Sequence, residues 1–352
     1  MSIETYMFFV VLFLFVNFFF VVSINEITKV IVGMLLGYNF NSCQFFCFNF
    51  HYDYAEVLVV SYTKNDFYFG VRATLIPPTT QTRMIYLFYE LSSVVSNASI
   101  CFFATIICAN LFFQQIAFLY FFTMLFVALL VFLFNIVPNE RNPLNNGMKI
   151  KYLLSDKYVG KAIGCINLIE NKLKSGVPLE QIDENCWQVP ADANFSNYYL
   201  AYWGYYQFCY FDKRQEISKA KKSLDKLYKA IEKLPQFYRH VISAGAIKFY
   251  LIYFNDRKKA QTLRTPAFIN EFIHINPLCF LQAEVTFQVY VEKNYLLALQ
   301  VLEQFDYLLM GIVDATTLIE PDFSNKMRKH IVSSQYDDVN EYEVMYEVSE
   351  IG

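Results

Sequence analysis

The sequence has 352 residues, of which 55% are hydrophobic and only 17% are charged, below the roughly one quarter that is usual in soluble domains. Its formal net charge of −3 gives no support for nucleic-acid binding, which requires a basic surface. Residues 1–147 carry 12 charged side chains, whereas the remaining 205 residues carry 49. This asymmetry predicts a membrane domain followed by a water-soluble domain.

Three apolar segments of the first half predict membrane-spanning helices. The first begins at Met7 and is apolar to Val22 except at Asn17, which gives only about 24 Å of helix against a hydrocarbon core of about 30 Å. We therefore expect this helix to continue through Asn25–Lys29 into the next apolar stretch. The second and third segments are Tyr86–Asn110 and Ile116–Val137. Aromatic and polar residues alternate between Tyr38 and Arg83, which predicts short antiparallel strands at the membrane surface.

Basic residues indicate the orientation of these spans. They lie before the second span and after the third, whereas the turn between those two spans is uncharged. The basic residues are Lys64, Arg72, Arg83, Arg141, Lys149, Lys151 and Lys157. The positive-inside rule then predicts a multi-pass protein, in the plasma membrane, with its N-terminus outside and its C-terminal domain in the cytosol.

The second half of the chain has the apolar periodicity of helices, with charged residues between the apolar ones. Ala220, Ala260 and Ala298 occupy similar places in three predicted helical hairpins, at spacings of 40 and 38 residues. These hairpins loosely resemble tetratricopeptide repeats, an array that offers a concave surface to a protein partner. The domains expected are a transmembrane domain over 1–155, a helical-repeat domain over 156–330 and an acidic tail over 331–352. The predicted fold class is mainly α, with a small surface β-sheet.

Two short motifs stand at the ends of the first and third spans. Asn25-Glu26-Ile27-Thr28-Lys29 lies in the first, and Asn135-Ile136-Val137-Pro138 closes the third, shortly before Asn146-Gly147. With the three spans and the strand-rich loop, these motifs resemble the site-2 protease family of intramembrane zinc metalloproteases, over roughly residues 5–155. That family carries HExxH on its first core helix and N-x-x-P followed by D-G after its third.

The resemblance assigns a role to each matching position. Asn25, Lys29 and Asn146 stand where the family has its zinc ligands, and Glu26 stands at the general-base position. Asn135, Pro138 and Gly147 match residues that shape the site. An amide oxygen is a weak neutral donor, and a protonated lysine has no lone pair for a metal. We therefore predict a pseudoprotease without metal, in which the Lys29 ammonium pairs with Glu26 and donates to the side-chain carbonyls of Asn25 and Asn146.

Three functions remain open from the sequence. The first is a catalytically inactive, site-2-protease-like membrane protein that binds a membrane-associated peptide or partner protein, with the helical repeats available to a cytosolic protein. The second is an active intramembrane zinc endopeptidase that matures peptides, in which Glu26 would be catalytic. The third is a membrane-anchored helical-repeat scaffold, in which the NEITK segment is simply a helix end with a lysine reaching the interface.

Overall fold

The computed structural model describes residues 2–52, 58–62, 68–79, 82–138, 145–310 and 322–334. The chain is mainly helical, as predicted, and divides into two compact units, Met1–Leu168 and Ile169–Gly352. The boundary between the units lies 13 residues after the predicted boundary at residues 155 and 156. Each unit has its own core.

Three long helices form the framework of the first unit: α1 (Ile3–Leu35), α2 (Arg83–Asn110) and α3 (Gln115–Ile136). All three are long and apolar enough to cross a membrane. The prediction that the first helix continues through Asn25–Lys29 is confirmed, and its 33 residues span about 50 Å. Large apolar side chains face outwards on each of the three, among them Phe15 (61% exposed), Phe103 (60%) and Phe134 (74%). Such side chains suit contact with lipid.

A four-stranded antiparallel sheet lies between α1 and α2 in the chain and confirms the predicted strands. Its strands are β1 (Asn39–Phe46), β2 (Phe48–Tyr52), β3 (Leu58–Tyr62) and β4 (Tyr68–Ile76), in the spatial order β3-β2-β1-β4. The close approach of α1 to its neighbours depends on Gly33. A Cβ there would lie 2.5 Å from Leu75 Cδ1 and 3.0 Å from the ring of Tyr89.

Two more helices follow α3: α4 (Asn146–Ser155) and α5 (Val159–Lys174). The second unit then contains eight α-helices among its described residues, and α11 is extended by a π-helical turn over Gln288–Glu292. They are α6 (Tyr198–Lys213), α7 (Ile217–Tyr228), α8 (Gln236–Phe254), α9 (Arg257–Leu263), α10 (Pro266–Ile275), α11 (Pro277–Phe287) and α12 (Tyr295–Met310). An eighth helix, α13, covers residues 323–334.

The three alanines that defined the predicted hairpins are fully buried: Ala220 lies in α7, Ala260 in α9 and Ala298 in α12. The sequence pattern did not predict α10 as a separate helix, because Thr265 caps it and Pro266 starts it directly after the previous turn. The predicted acidic tail began at residue 331, but residues 331–334 complete α13. The rest of that tail, 335–352, lies outside the described residues.

Candidate functional site

A polar face runs along the first half of α2, inside an otherwise apolar bundle. Glu90, Ser93 and Asn97 are spaced by three and four residues, so they lie on one side of the helix. All three are buried, with exposures of 7%, 0% and 0%. Because polar groups without water are costly in such surroundings, each needs a partner from another helix.

Helix α4 supplies partners for two of these three side chains. Lys149 Nζ lies 3.2 Å from Glu90 Oε1, and Asn146 Nδ2 donates to Ser93 Oγ at 2.5 Å. Asn146 and Lys149 are three residues apart and share one face of α4. The ion pair was missed by the sequence analysis, although Glu90 is the one acidic residue within the second apolar segment and offered a signal.

The Asn145-Asn146-Gly147 segment holds the start of α4 against the end of α3. Asn145 Nδ2 donates to the carbonyl oxygens of Val137 at 2.7 Å and Phe134 at 3.2 Å. Its Oδ1 accepts from Met148 N at 2.8 Å and so caps α4. Gly147 packs directly on the Ile136 carbonyl, because an added Cβ would lie 2.7 Å from its carbon. Asn145 and Gly147 thus fix the start of α4 through contacts with the backbone at the end of α3.

The charged pair on α1 has the predicted partner but not the predicted surroundings. Lys29 Nζ lies 3.4 Å from Glu26 Oε1, and both side chains are mostly buried, at 18% and 19% exposure. The two further hydrogen bonds expected from Lys29 are not formed. Asn25 Oδ1 is buried without a hydrogen-bond partner among the described residues, and Asn146 uses its amide on Ser93 instead. Lys29 lies three residues after Glu26 on the same helix, so the two side chains are neighbours on its surface.

Asn25 and Asn97 lie at the same level of the bundle. Val21 of α1 packs in one cluster with Ile100 of α2, and Thr28 Oγ1 contacts Ser96 Oγ at 3.2 Å. Asn25 sits between those two contacts, opposite the turn that carries Asn97. Neither amide atom of Asn97 has a partner within the described part of the chain, and the same holds for Asn25 Oδ1.

The second buried asparagine of α1 provides a contrast. Asn17 is fully buried and donates through Nδ2 to Thr123 Oγ1 at 2.9 Å and to the Tyr120 carbonyl at 3.0 Å. It therefore joins α1 to α3 as a structural contact.

The buried polar and charged side chains shared by α1, α2 and α4 form one set, which we name the polar layer. Its members are Asn25, Glu26, Lys29, Glu90, Ser93, Asn97, Asn146 and Lys149.

The remaining predicted site residues lie at the end of α3. Asn135 is half-buried in the last turn of the helix, and Pro138 is exposed just beyond it. A residue that precedes a proline avoids the helical conformation. Val137, which precedes Pro138, is therefore extended, and α3 ends at Ile136.

The polar layer does not fit a zinc ion. Of the three family ligand positions, two hold amides and the third holds an ammonium group that pairs with the only carboxylate of the motif, Glu26. A cation at that position adds repulsion where a metal needs negative charge. Within the ranges that the structure describes, no group of three His, Cys, Asp or Glu side chains is placed to hold a metal ion.

The second unit contains a cavity of about 560 Å³ on the face formed by α6, α8 and α11. Its lining includes Tyr202, Tyr205, Cys209, Lys248 and Gln282. Burial raises the pKa of the Cys209 thiol to about 12. This thiol is therefore protonated at neutral pH and is not an activated nucleophile. The size and the aromatic lining suit a ligand or a peptide side chain.

Comparison with protein-family models, curated proteins and solved structures finds no match to this chain.

Proposed function

We propose that this chain is a non-catalytic, site-2-protease-like membrane protein that binds a membrane-associated peptide or protein segment at its polar layer. The observation that carries the proposal is the pair of buried amides, Asn25 and Asn97, that lie at one level of an apolar bundle without partners for three of their atoms. Buried polar groups in spans are expensive and are retained where they serve a function.

The unpaired atoms specify the chemistry of the ligand. Asn97 offers one acceptor and one donor, and Asn25 offers an acceptor. A peptide backbone presents both a carbonyl and an N–H within one residue, so an unwound or extended segment can satisfy these groups. A regular transmembrane helix cannot, because its backbone groups already bond to one another.

The charges of the polar layer support binding rather than hydrolysis. Activation of water by a metal needs ligands that this site lacks, and Glu26 alone cannot generate a hydroxide nucleophile from water whose pKa is near that of bulk. The Lys29 ammonium neutralises Glu26, and the Lys149 ammonium neutralises Glu90. The proposal assigns no cofactor and gives Glu26 a structural role.

The second unit has a place in the same proposal. From the positive-inside rule we expect this unit to lie in the cytosol. Its cavity on α6, α8 and α11 offers a cytosolic protein partner a surface of suitable size. The bilayer itself is the other expected partner, through the exposed apolar side chains of α1, α2 and α3.

Site-specific photocrosslinking tests the binding function. A photoreactive phenylalanine analogue replaces Val94, which is buried on α2 beside the polar layer, and the full-length chain is expressed in membranes and irradiated. We expect a discrete adduct with a peptide or a single-span protein. Asn97→Leu and Asn25→Leu should each reduce its yield at least tenfold, because they remove the groups that the ligand must satisfy.

Asn17→Leu is the matched control, since it changes a buried asparagine on α1 whose Nδ2 already donates to Thr123 and Tyr120, although its Oδ1 has no partner among the described residues. It should leave the adduct yield unchanged. An adduct that is insensitive to Asn25 and Asn97, or the absence of any adduct, contradicts the proposal. Zinc analysis of the purified chain tests the non-catalytic part separately: we expect less than about 0.1 equivalent. Stoichiometric zinc bound at Glu26 would contradict it.

A further inference from the structure

Helix α7 presents a concentrated basic surface in the second unit. Four lysines, Lys221, Lys222, Lys226 and Lys229, surround a shallow depression together with Ser218 and Asp225. Their spacing places them on the side of the helix opposite its buried residues. Lys221, Lys222 and Lys229 are exposed and Lys226 is half-buried. We call these four residues the lysine face.

The acidic residues nearby do not neutralise the lysine face. Asp225 accepts a hydrogen bond from Tyr250 Oη at 2.5 Å and pairs with Lys259 Nζ at 3.2 Å, so its charge is matched by α9. Glu216 is held by Arg214 at 3.0 Å and by Lys219 at 2.5 Å. Between residues 213 and 233 the chain has eight basic and three acidic side chains, although the whole protein carries −3.

The chain itself contains a segment of complementary charge. Residues 336–350 hold six carboxylates and no basic side chain: Asp337, Asp338, Glu341, Glu343, Glu347 and Glu350. We propose that this acidic segment docks on the lysine face of the same molecule. Tethering raises the local concentration of such a segment to the millimolar range, so individually weak ion pairs add up to stable occupancy.

The described contacts show that the segment can reach α7. Phe323, at the start of α13, lies 5.9 Å from Lys248 Nζ of α8, and Tyr250 of α8 bonds to Asp225 of α7. The 12 residues of α13 add about 18 Å. The chain from residue 334 to residue 350 can extend by roughly 50 Å, which exceeds the remaining distance across two packed helices.

Zero-length carbodiimide coupling of the full-length chain in detergent tests the docking. It joins lysine to carboxylate only where the two form an ion pair, and mass spectrometry identifies the linked peptides. We expect links from residues 337–350 to the lysine face to exceed links to Lys258, an exposed lysine on α9, at least tenfold. The yield should fall at least fivefold when the salt concentration rises from 0.05 M to 0.5 M.

A second measurement does not depend on cross-linking. The rate of acetylation of each lysine is compared between the native chain and the Asp337→Asn/Asp338→Asn/Glu341→Gln/Glu343→Gln variant. The lysine face should react at least threefold faster in the variant, and Lys258 should react at the same rate in both. The four substitutions lie outside the described residues, so the helices that carry the lysine face keep their sequence.

Three results would overturn the proposal. Links spread evenly over all exposed lysines indicate no docking. Links between isotopically heavy and light molecules in a mixed sample place the segment on a second copy. Equal acetylation of the native chain and the variant shows that the lysine face is not covered.

Discussion

The ion pair between Glu90 and Lys149 is the contact whose loss we expect to destabilise the first unit most. The substitution Lys149→Met keeps most of the side-chain volume and removes the ammonium group. Glu90 is left as a carboxylate whose side chain is only 9% exposed, in a bundle of apolar helices. Its Oε2 already has no hydrogen-bond partner among the described residues, so no neighbour replaces the lost charge.

The magnitude follows from the burial of the pair. Removing one partner of a buried ion pair costs about 3 kcal/mol, because the remaining charge stays desolvated without its counter-charge. This cost corresponds to an increase of about 100-fold in the population of the unfolded unit. Removing both charges, in Glu90→Gln/Lys149→Met, should recover at least half of the loss, since an amide is less costly to bury than a carboxylate.

Cys108 provides the assay. It is buried on α2 and becomes reactive only when the bundle opens. Pulsed alkylation of the full-length chain over an SDS titration in mixed micelles, with mass spectrometry of the Cys108 peptide, reports the opening of this unit alone. The midpoint for Lys149→Met should fall well below that of the native chain.

Lys29→Met is the matched comparison, because it breaks the other ion pair of the polar layer. That pair joins two residues of one helix at 3.4 Å, and the Glu26 side chain is 19% exposed against 9% for Glu90, so the loss should be smaller, about 1 kcal/mol. Equal shifts for Lys29→Met and Lys149→Met would refute the reasoning that contact between helices, rather than charge alone, sets the cost.

Four further outcomes follow from the structure. Gly147→Ala should destabilise the first unit by about 1–3 kcal/mol in the Cys108 assay, because its Cβ overlaps the carbonyl at the end of α3. Asn97→Leu should stabilise that unit by about 1 kcal/mol, since it removes two buried groups without partners. Arg264→Met should destabilise the second unit by about 3 kcal/mol in tryptophan-monitored unfolding, because it leaves the Glu284 carboxylate without its counter-charge. In the native chain Arg264 Nη2 and Nε donate to the two oxygens of this carboxylate at 2.8 and 2.9 Å. Burial lowers the pKa of His240 below 6.5, so the folded state favours the neutral imidazole. The contribution of His240 to the free energy of unfolding should therefore be full above pH 6.5 and be lost as the pH falls through the lowered pKa.

The outcomes for Gly147, Arg264 and His240 each have a control or a result that would contradict them. Alanine normally stabilises a helix relative to glycine, so a gain of stability in Gly147→Ala would contradict the proposed overlap. Arg239→Met breaks an exposed pair with Glu232 at 3.4 Å and should change stability by less than about 0.5 kcal/mol. His274→Gln, at an exposed histidine, should leave the pH profile unchanged, whereas His240→Gln should flatten it. Both tryptophans, Trp187 and Trp203, lie in the second unit and report on it selectively.

Patterns with a fixed period made the elements of this fold predictable from the sequence. Long apolar runs predicted α1, α2 and α3, and alternation predicted the sheet, because both signals come from the side chains of the element itself. The buried alanines at 220, 260 and 298 were found in the same way, by spacing. Element ends were less predictable where a cap or a proline separates two helices without a loop, as between α9 and α10.

The partners within the site could not be predicted in this way, because they depend on which turns of different helices face one another. The sequence motif placed Lys29 next to Glu26, a relation set by one helix, and that contact is present. The prediction that Lys29 also donates to Asn146 was wrong, because Asn146 lies against Ser93 of α2 and donates to it. Glu90 and Lys149 are 59 residues apart, and only the packing of α4 on α2 brings them together.

The contrast between Asn17 and Asn97 explains why the polar layer points to a bound ligand. Both side chains are fully buried, yet Asn17 gains two hydrogen bonds from α3 whereas Asn97 gains none among the described residues. Leucine has the same branched arrangement of heavy atoms as asparagine and avoids the cost of desolvation, so stability alone does not favour asparagine at position 97. A side chain that weakens the free protein is retained when its hydrogen bonds form only in a complex. The two leucine substitutions therefore should separate stability from binding: Asn97→Leu gains stability and loses the adduct, and Asn17→Leu loses stability and keeps it.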